Sequence, residues 1–212
     1  MNTQKQIDQQ IEGMLHLAQF GMEEGEDGKD LLTYYWFKNG FSREECEKIK
    51  ELAKSYDCEE ATTFGDEGTN NTDDSIRKSS VRWINCTNDT SWIYEKLLKY
   101  VTEANKYFKT DITGFSEPLQ YTEYEGKGTH YGYHLDIGPG KHKRKISIVV
   151  QLSDPSEYEG GELMIHNGTE TVMDRGMGCV FLFPSILLHK VTKVISGNRH
   201  SLVSWISGSP WK

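Results

Sequence analysis

The chain has 212 residues, 36% of them hydrophobic and 11% aromatic, and a formal net charge of −8. That length suits one domain with a packed core, and no apolar run approaches the roughly 18 residues needed to span a bilayer. The acidic balance argues against nonspecific nucleic-acid binding, which draws on a basic stripe, and is compatible with a basic peptide partner.

The N-terminus, MNTQKQIDQQIEGM, is polar and lacks the apolar core of a secretion signal. Cys46, Cys58, Cys86 and Cys179 show no C-x-x-C spacing, so free thiols in a reducing, cytoplasmic setting are expected. Ile7, Ile11, Met14, Leu15 and Ala18 recur at helical spacing, which predicts an amphipathic helix over residues 1–20. The acidic stretch 21–30 reads as a linker. These residues form one unit, 1–30, ahead of a second unit, 31–212. Residues 31–40 are a β-rich run. FSREECEKIKELAKS is a helix, with Ser42 and Glu45 as a capping box. Residues 59–75 are polar, acidic and glycine-containing, and read as a mobile loop. SIRKSSVRWI is a strand candidate. SWIYEKLLKYVTEANKYF repeats apolar side chains at Ile93, Leu97, Val101, Ala104 and Phe108, so a second core-facing helix is expected. After residue 115, short β-rich segments alternate with Gly, Pro and Asn turns, which predicts a β sandwich or barrel with the helices packed outside it.

One stretch of this β-rich half, HYGYHLD over residues 130–136, carries His130, His134 and Asp136. On an extended segment, residues i and i+2 face one side, so His134 and Asp136 could meet one ion, and His130 would join them if the segment were straight. His189 lies on a later β-run, followed by a Ser-Gly-Asn turn and Arg199. Two histidines and one carboxylate with open positions is the facial triad of non-haem Fe(II) oxygenases. Arg199 and Ser201 share a strand face and could hold a distal carboxylate by a guanidinium fork and a hydroxyl. If 189–195 and 199–205 form a hairpin, His189 lies across from Trp205.

These residues resemble the Fe(II)/2-oxoglutarate dioxygenase superfamily, and within it the prolyl 4-hydroxylases. EPLQYTEYEGKGTHYGYHLD is similar to a family stretch that carries over Glu117, Gln120, Tyr124, Gly126, Tyr131, His134 and Asp136. RKISIVVQLSDPSEYEGGELMI resembles the family's Arg-led strand and Gly-Gly-Glu turn. SIRKSS resembles the strand beside the substrate, and FPSILLHKVTKVISGNRHSLVSWI the closing segment. Arg199, ten residues after His189, looks more like the oxygen-sensing and bacterial members than the collagen type. Asp-Pro after QLS, and EGGEL, look like a bacterial group of hydroxylases.

The resemblance implies a mainly β, α+β fold, a double-stranded β-helix or jelly roll with N-terminal helices packed on one sheet. It implies Fe(II) on His134, Asp136 and His189, and 2-oxoglutarate on Arg199 with Ser201 and Tyr124. O2 is the other reactant, and ascorbate an auxiliary. It places a proline-containing peptide or protein near Arg77, Ser79, Glu117, Tyr131, Arg144 and Trp205, under a lid at 59–76. The expected activity is hydroxylation of a prolyl residue coupled to decarboxylation of 2-oxoglutarate to succinate and CO2. The rivals are hydroxylation of another residue or a free amino acid, a nucleic-acid demethylase, a silent jelly-roll binding module, and a cupin-type isomerase or zinc hydrolase. His130, His142, His166 and His200 are expected to be exposed bystanders.

Overall fold

The computed structural model describes residues 22–24, 30–32, 34–64, 70–138 and 140–209. The helix expected over residues 1–20 and the loop tip 65–69 lie outside the described residues. Within the expected linker, Met22–Glu24 pairs antiparallel with Asp30–Leu32.

Helix α1, Arg43–Ala53, begins where the sequence places its cap. The Glu45 N–H donates to Ser42 Oγ, and the Ser42 N–H donates to the Glu45 carboxylate. Its apolar face buries Cys46, Ile49 and Ala53. Helix α2, Ser91–Phe108, buries Ile93, Tyr94, Leu97, Val101 and Ala104, one stripe at three- and four-residue spacing. A fully buried side chain such as Leu97 contributes about 1.5–3 kcal/mol. The Tyr94 hydroxyl donates to Ile84 O and accepts from the Leu119 N–H, fixing α2 to two strands.

The described residues form two main antiparallel sheets, of nine and five strands. In the larger, the order is Tyr35–Phe37, Val180–Pro184, Arg144–Gln151, Val194–Gly208, Leu119–Glu125, Ser80–Ile84 and Glu59–Glu60. Tyr158–Gly160 and Ile112–Phe115 also pair with the long strand Val194–Gly208. The smaller sheet runs Thr169–Val172, Leu163–Asn167, Leu188–Val191, His130–His134 and Arg77–Lys78.

Every residue of Arg144–Gln151 is buried, because both faces of that strand are covered. Ile146, Ile148 and Val150 pack with the helices. Val149, Phe181 and Phe183 pack with Leu163, Ile165 and Val191 of the smaller sheet, so the two sheets face each other. This is the expected jelly roll with helices on the outer face of the larger sheet.

The expected hairpin is not formed. Leu188–Val191 pairs with His130–His134 and Leu163–Asn167 in the smaller sheet. The chain then crosses at Thr192–Lys193 and runs from Val194 to Gly208 in the larger sheet. The Ser-Gly-Asn segment lies inside that strand, with Gly197 at φ +75° opposite Tyr158. His189 therefore lies across from His134, and Trp205 across from Ser147. Among the described residues, no helix is long and apolar enough to cross a membrane.

Candidate metal centre

The strand His130–His134 pairs with Leu188–Val191, and this register sets His134 beside His189. Asp136 lies two residues past the strand end, where its N–H donates to Ser185 O at 3.1 Å. Cross-strand pairing thus brings the imidazoles together, and a tethered loop adds the carboxylate. His134 Nε2 is 3.7 Å from Asp136 Oδ1, and His189 Nε2 is 3.4 Å from Asp136 Oδ2. All three side chains offer a ligand atom within 4.8 Å of the others.

The local hydrogen bonds set the proton positions. His134 Nδ1 lies 2.9 Å from Gly132 O, and His189 Nδ1 lies 2.9 Å from Leu187 O. A carbonyl oxygen only accepts, so each Nδ1 carries the proton and each Nε2 keeps its lone pair. Burial, reinforced by His189, holds His134 well below the usual imidazole range and so neutral. Burial alone would raise Asp136, but the two histidines and the Ser147 hydroxyl outweigh it and keep the carboxylate ionised. Ser147 donates to Asp136 Oδ2 at 2.6 Å and lies 2.9 Å from the Ser185 hydroxyl. Two bare imidazole nitrogens and one carboxylate are a fitting donor set for a divalent iron.

Glu117 and Arg144, expected beside the substrate, engage each other. Arg144 donates from Nε and Nη2 to the two Glu117 oxygens, a bidentate pair. Its Nη1 donates to Asp136 O at 3.2 Å, and its guanidinium lies 3.5 Å from the Trp205 ring. These contacts brace the loop that carries Asp136.

Tyr131 lies between two partners. Its ring stacks on the His134 imidazole, and the Arg77 guanidinium sits 4.4 Å from its centroid on the strand alongside. Arg77 Nε donates to Ser79 Oγ and Nη1 to Thr62 O, while Nη2 is buried without a partner among the described residues. His130 is buried, contrary to expectation, with its ring nitrogens against Gly128 O and Ser75 O. His200 is half-buried and stacked on Tyr121.

A cavity of about 700 Å³, its open mouth included, joins these groups. Tyr131, His134, Asp136, His189, Arg144 and Trp205 line it, as do Tyr124 and Ser201. Val149, Leu163, Val191 and Val203 make its walls apolar. Arg199 lies behind Tyr124, 1% exposed, with its guanidinium 5.1 Å from that ring. Arg199 Nη2 donates to Gln151 Oε1 at 2.9 Å, but Nε and Nη1 have no partner among the described residues. Gly161, at φ +64°, makes room for this side chain, since a Cβ there would stand 3.1 Å from Arg199 Cδ. Sequence reasoning missed Ser147, Ser185 and Gln151. A strand-register argument would have found Ser147 and Gln151, because both face the same way as Val149 on a fully buried strand.

The family model described as the 2OG-Fe(II) oxygenase superfamily matches residues 119–207. A PKHD-type hydroxylase of Synechococcus sp. (strain CC9605) is 43% identical over 82 residues, 37% of this chain and 37% of that protein. One from Hyphomonas neptunium is 32% identical over 108 residues, 46% of this chain and 48% of that protein. The chain thus spans less than half the length of these curated relatives. Among solved structures, a Pseudomonas putida prolyl-4-hydroxylase superposes with a TM-score of 0.64 at 17% identity, covering 84% of this chain and 93% of the other. A Trichoplax adhaerens prolyl hydroxylase in complex with a hypoxia inducible factor peptide fragment gives 0.69 at 16% identity, covering 98% and 94%. Residues 119–207 thus match the model of the 2OG-Fe(II) oxygenase superfamily, and the chain shares its fold with solved prolyl hydroxylases.

Proposed function

We propose that the chain is a 2-oxoglutarate-dependent dioxygenase that hydroxylates a prolyl residue of a peptide or protein, yielding succinate and CO2. One observation carries this reading: the His134–Asp136–His189 cluster, with Asp136 and His189 buried, shares a cavity wall with the residues in front of an arginine whose Nε and Nη1 have no partner among the described residues. The prolyl substrate is favoured by the solved relatives that are prolyl hydroxylases, one of them with a peptide bound.

An Fe(II) ion held by His134, Asp136 and His189 would supply the oxidation chemistry that couples decarboxylation to hydroxylation by O2, with ascorbate as auxiliary reductant. The protein's own groups bind and orient. Arg199 offers its unmet Nη1 to the distal carboxylate of 2-oxoglutarate, with Ser201 beside it and the Tyr124 ring against the guanidinium. Gln151 holds the third corner of that guanidinium. The apolar side chains Val149, Leu163, Val191 and Val203 exclude water. Ser147 and Arg144 fix Asp136, and Tyr131 and Trp205 present aromatic faces to a proline ring. Thr62 and Thr63 bring the base of the 59–76 segment to the cavity, where closure over a substrate would complete the enclosure.

The test is succinate formation with proline-rich peptides, with one oxygen added at proline read by mass spectrometry. His134→Ala should abolish both signals. Equal turnover by the two proteins would sink the assignment of the centre.

A further inference from the structure

We propose that Arg77 and Lys141 form an anion subsite at the cavity mouth, and that the substrate presents a carboxylate there, beside the position that is hydroxylated. The inference rests on the dioxygenase reading and adds a substrate class to it.

The cavity is lined by three cations, Arg77, Lys141 and Arg144, although the chain as a whole carries −8. Arg144 has its own counter-ion in Glu117. Arg77 does not: among the described residues no carboxylate lies within ion-pair distance of it. Its two hydrogen bonds go to neutral oxygens, Ser79 Oγ and Thr62 O. Arg77 is only 7% exposed, and its Nη2 has no partner among the described residues. A buried guanidinium with an unmet donor costs free energy until an acceptor arrives.

Lys141 stands on the loop between Asp136 and Arg144 and lines the same cavity. Burial, with Arg144 next and Arg77 also contributing, pushes its ammonium down to about 8, against the opposing pull of Glu117 and Asp136. The loop ammonium and the strand guanidinium thus share a field that a carboxylate would relieve.

The placement also suits the chemistry. A single aromatic ring, that of Tyr131, separates the Arg77 guanidinium from the His134 imidazole. A carboxylate on Arg77 would hold its neighbouring residue over Tyr131 and against the metal centre.

Two sources offer a carboxylate in that position: the side chain of an Asp or Glu next to the target proline, or the α-carboxylate of a terminal or free amino acid. Isothermal titration of the full chain would use four probes. N-acetylproline and its N-methylamide differ only in the α-carboxylate. Acetyl-Glu-Pro-N-methylamide and its Gln analogue differ only in the side-chain charge. We expect the acidic member of one pair to bind about tenfold tighter or more, with a preference that shrinks as salt rises. The pair that shows the preference identifies the source. Arg77→Gln and Lys141→Gln should each reduce the preference, and Lys141→Gln should do so while leaving the neutral probe's affinity alone. Lys141→Gln serves as the safeguard if the buried Arg77 variant fails to fold.

Equal affinity within both pairs, a preference that survives both substitutions, or no binding of any acidic probe would overturn the subsite. Binding of Fe(II) and 2-oxoglutarate is measured on the same protein. If both bind and no carboxylate preference appears, the subsite fails and the dioxygenase reading stands. If neither binds, the dioxygenase reading itself has failed.

Discussion

The Tyr131 ring lies nearly flat on the His134 imidazole, with centroids 3.5 Å apart and 12° between the planes. An aromatic contact of this kind is worth about 0.5–1.5 kcal/mol beyond the area it buries. It holds the imidazole plane while the Gly132 carbonyl holds its tautomer. Tyr131→Phe should therefore keep the metal affinity of the wild type. Tyr131→Ala should lower it several-fold, up to about tenfold. Competitive titration with Co(II) distinguishes the two, and equal affinities would show that the stack does not position His134.

The Ser147 hydroxyl is a second such support. It donates to Asp136 Oδ2 from within the larger sheet, and Ser185 completes the chain. Ser147→Ala should leave the fold intact, because it removes one small polar group next to Val149 and Trp205. It should lower metal affinity by about 10–100-fold, the usual range for an outer hydrogen-bond partner. Ser147→Thr, if the hydroxyl keeps its direction, should recover most of that loss. A loss that Thr does not recover would point to packing instead.

What the sequence showed about this centre, and what it hid, follows from how local each signal is. His134, Asp136 and His189 are chemically unusual on β-rich runs, so the chain displays them. The capping box at Ser42 and Glu45 and the stripe on α2 are likewise set within a turn or two. The partner of His189 was misread because a short turn suggests a hairpin. In a jelly roll, consecutive strands exchange sheets, and the exchange at Thr192–Lys193 leaves no local mark. Ser147, Ser185 and Gln151 look like ordinary strand and turn residues until the register places them under the site. His130 and His200 read as surface groups because their partners, Ser75 O and the Tyr121 ring, are distant in sequence.

Arg199 depends on a glycine that no charge argument identifies. A side chain at Gly161 would meet Arg199 Cδ and would force a left-handed backbone on a residue with a Cβ. Gly161→Ala should cost about 1–3 kcal/mol of stability, read as a lower melting temperature. It should also raise the KM for 2-oxoglutarate, with a smaller effect on the KM for peptide. Gln151→Leu leaves a buried charged donor unmet, so it should also lower stability, and by freeing the guanidinium to turn it should raise the same KM about tenfold or more. If both variants bind 2-oxoglutarate as the wild type does, Arg199 does not hold its distal carboxylate.

The last prediction concerns pH. Lys141 titrates near 8 because burial and Arg144 disfavour its charge. The facing charged groups are Arg77, Arg144, Glu117 and Asp136, and the arginines keep their charge across the working range. The protonated ammonium is the form that attracts a carboxylate. In the free protein that form dominates below pH 8 and is lost as pH rises through it. For an acidic substrate, kcat/KM should therefore fall above about pH 8, and the fall should be weaker in kcat, because a bound carboxylate raises the lysine's pKa. A neutral substrate should not show this limb, and Lys141→Arg should move it beyond the accessible range. Lys141→Gln should remove it. A limb of equal depth for acidic and neutral substrates would assign the titration to another group.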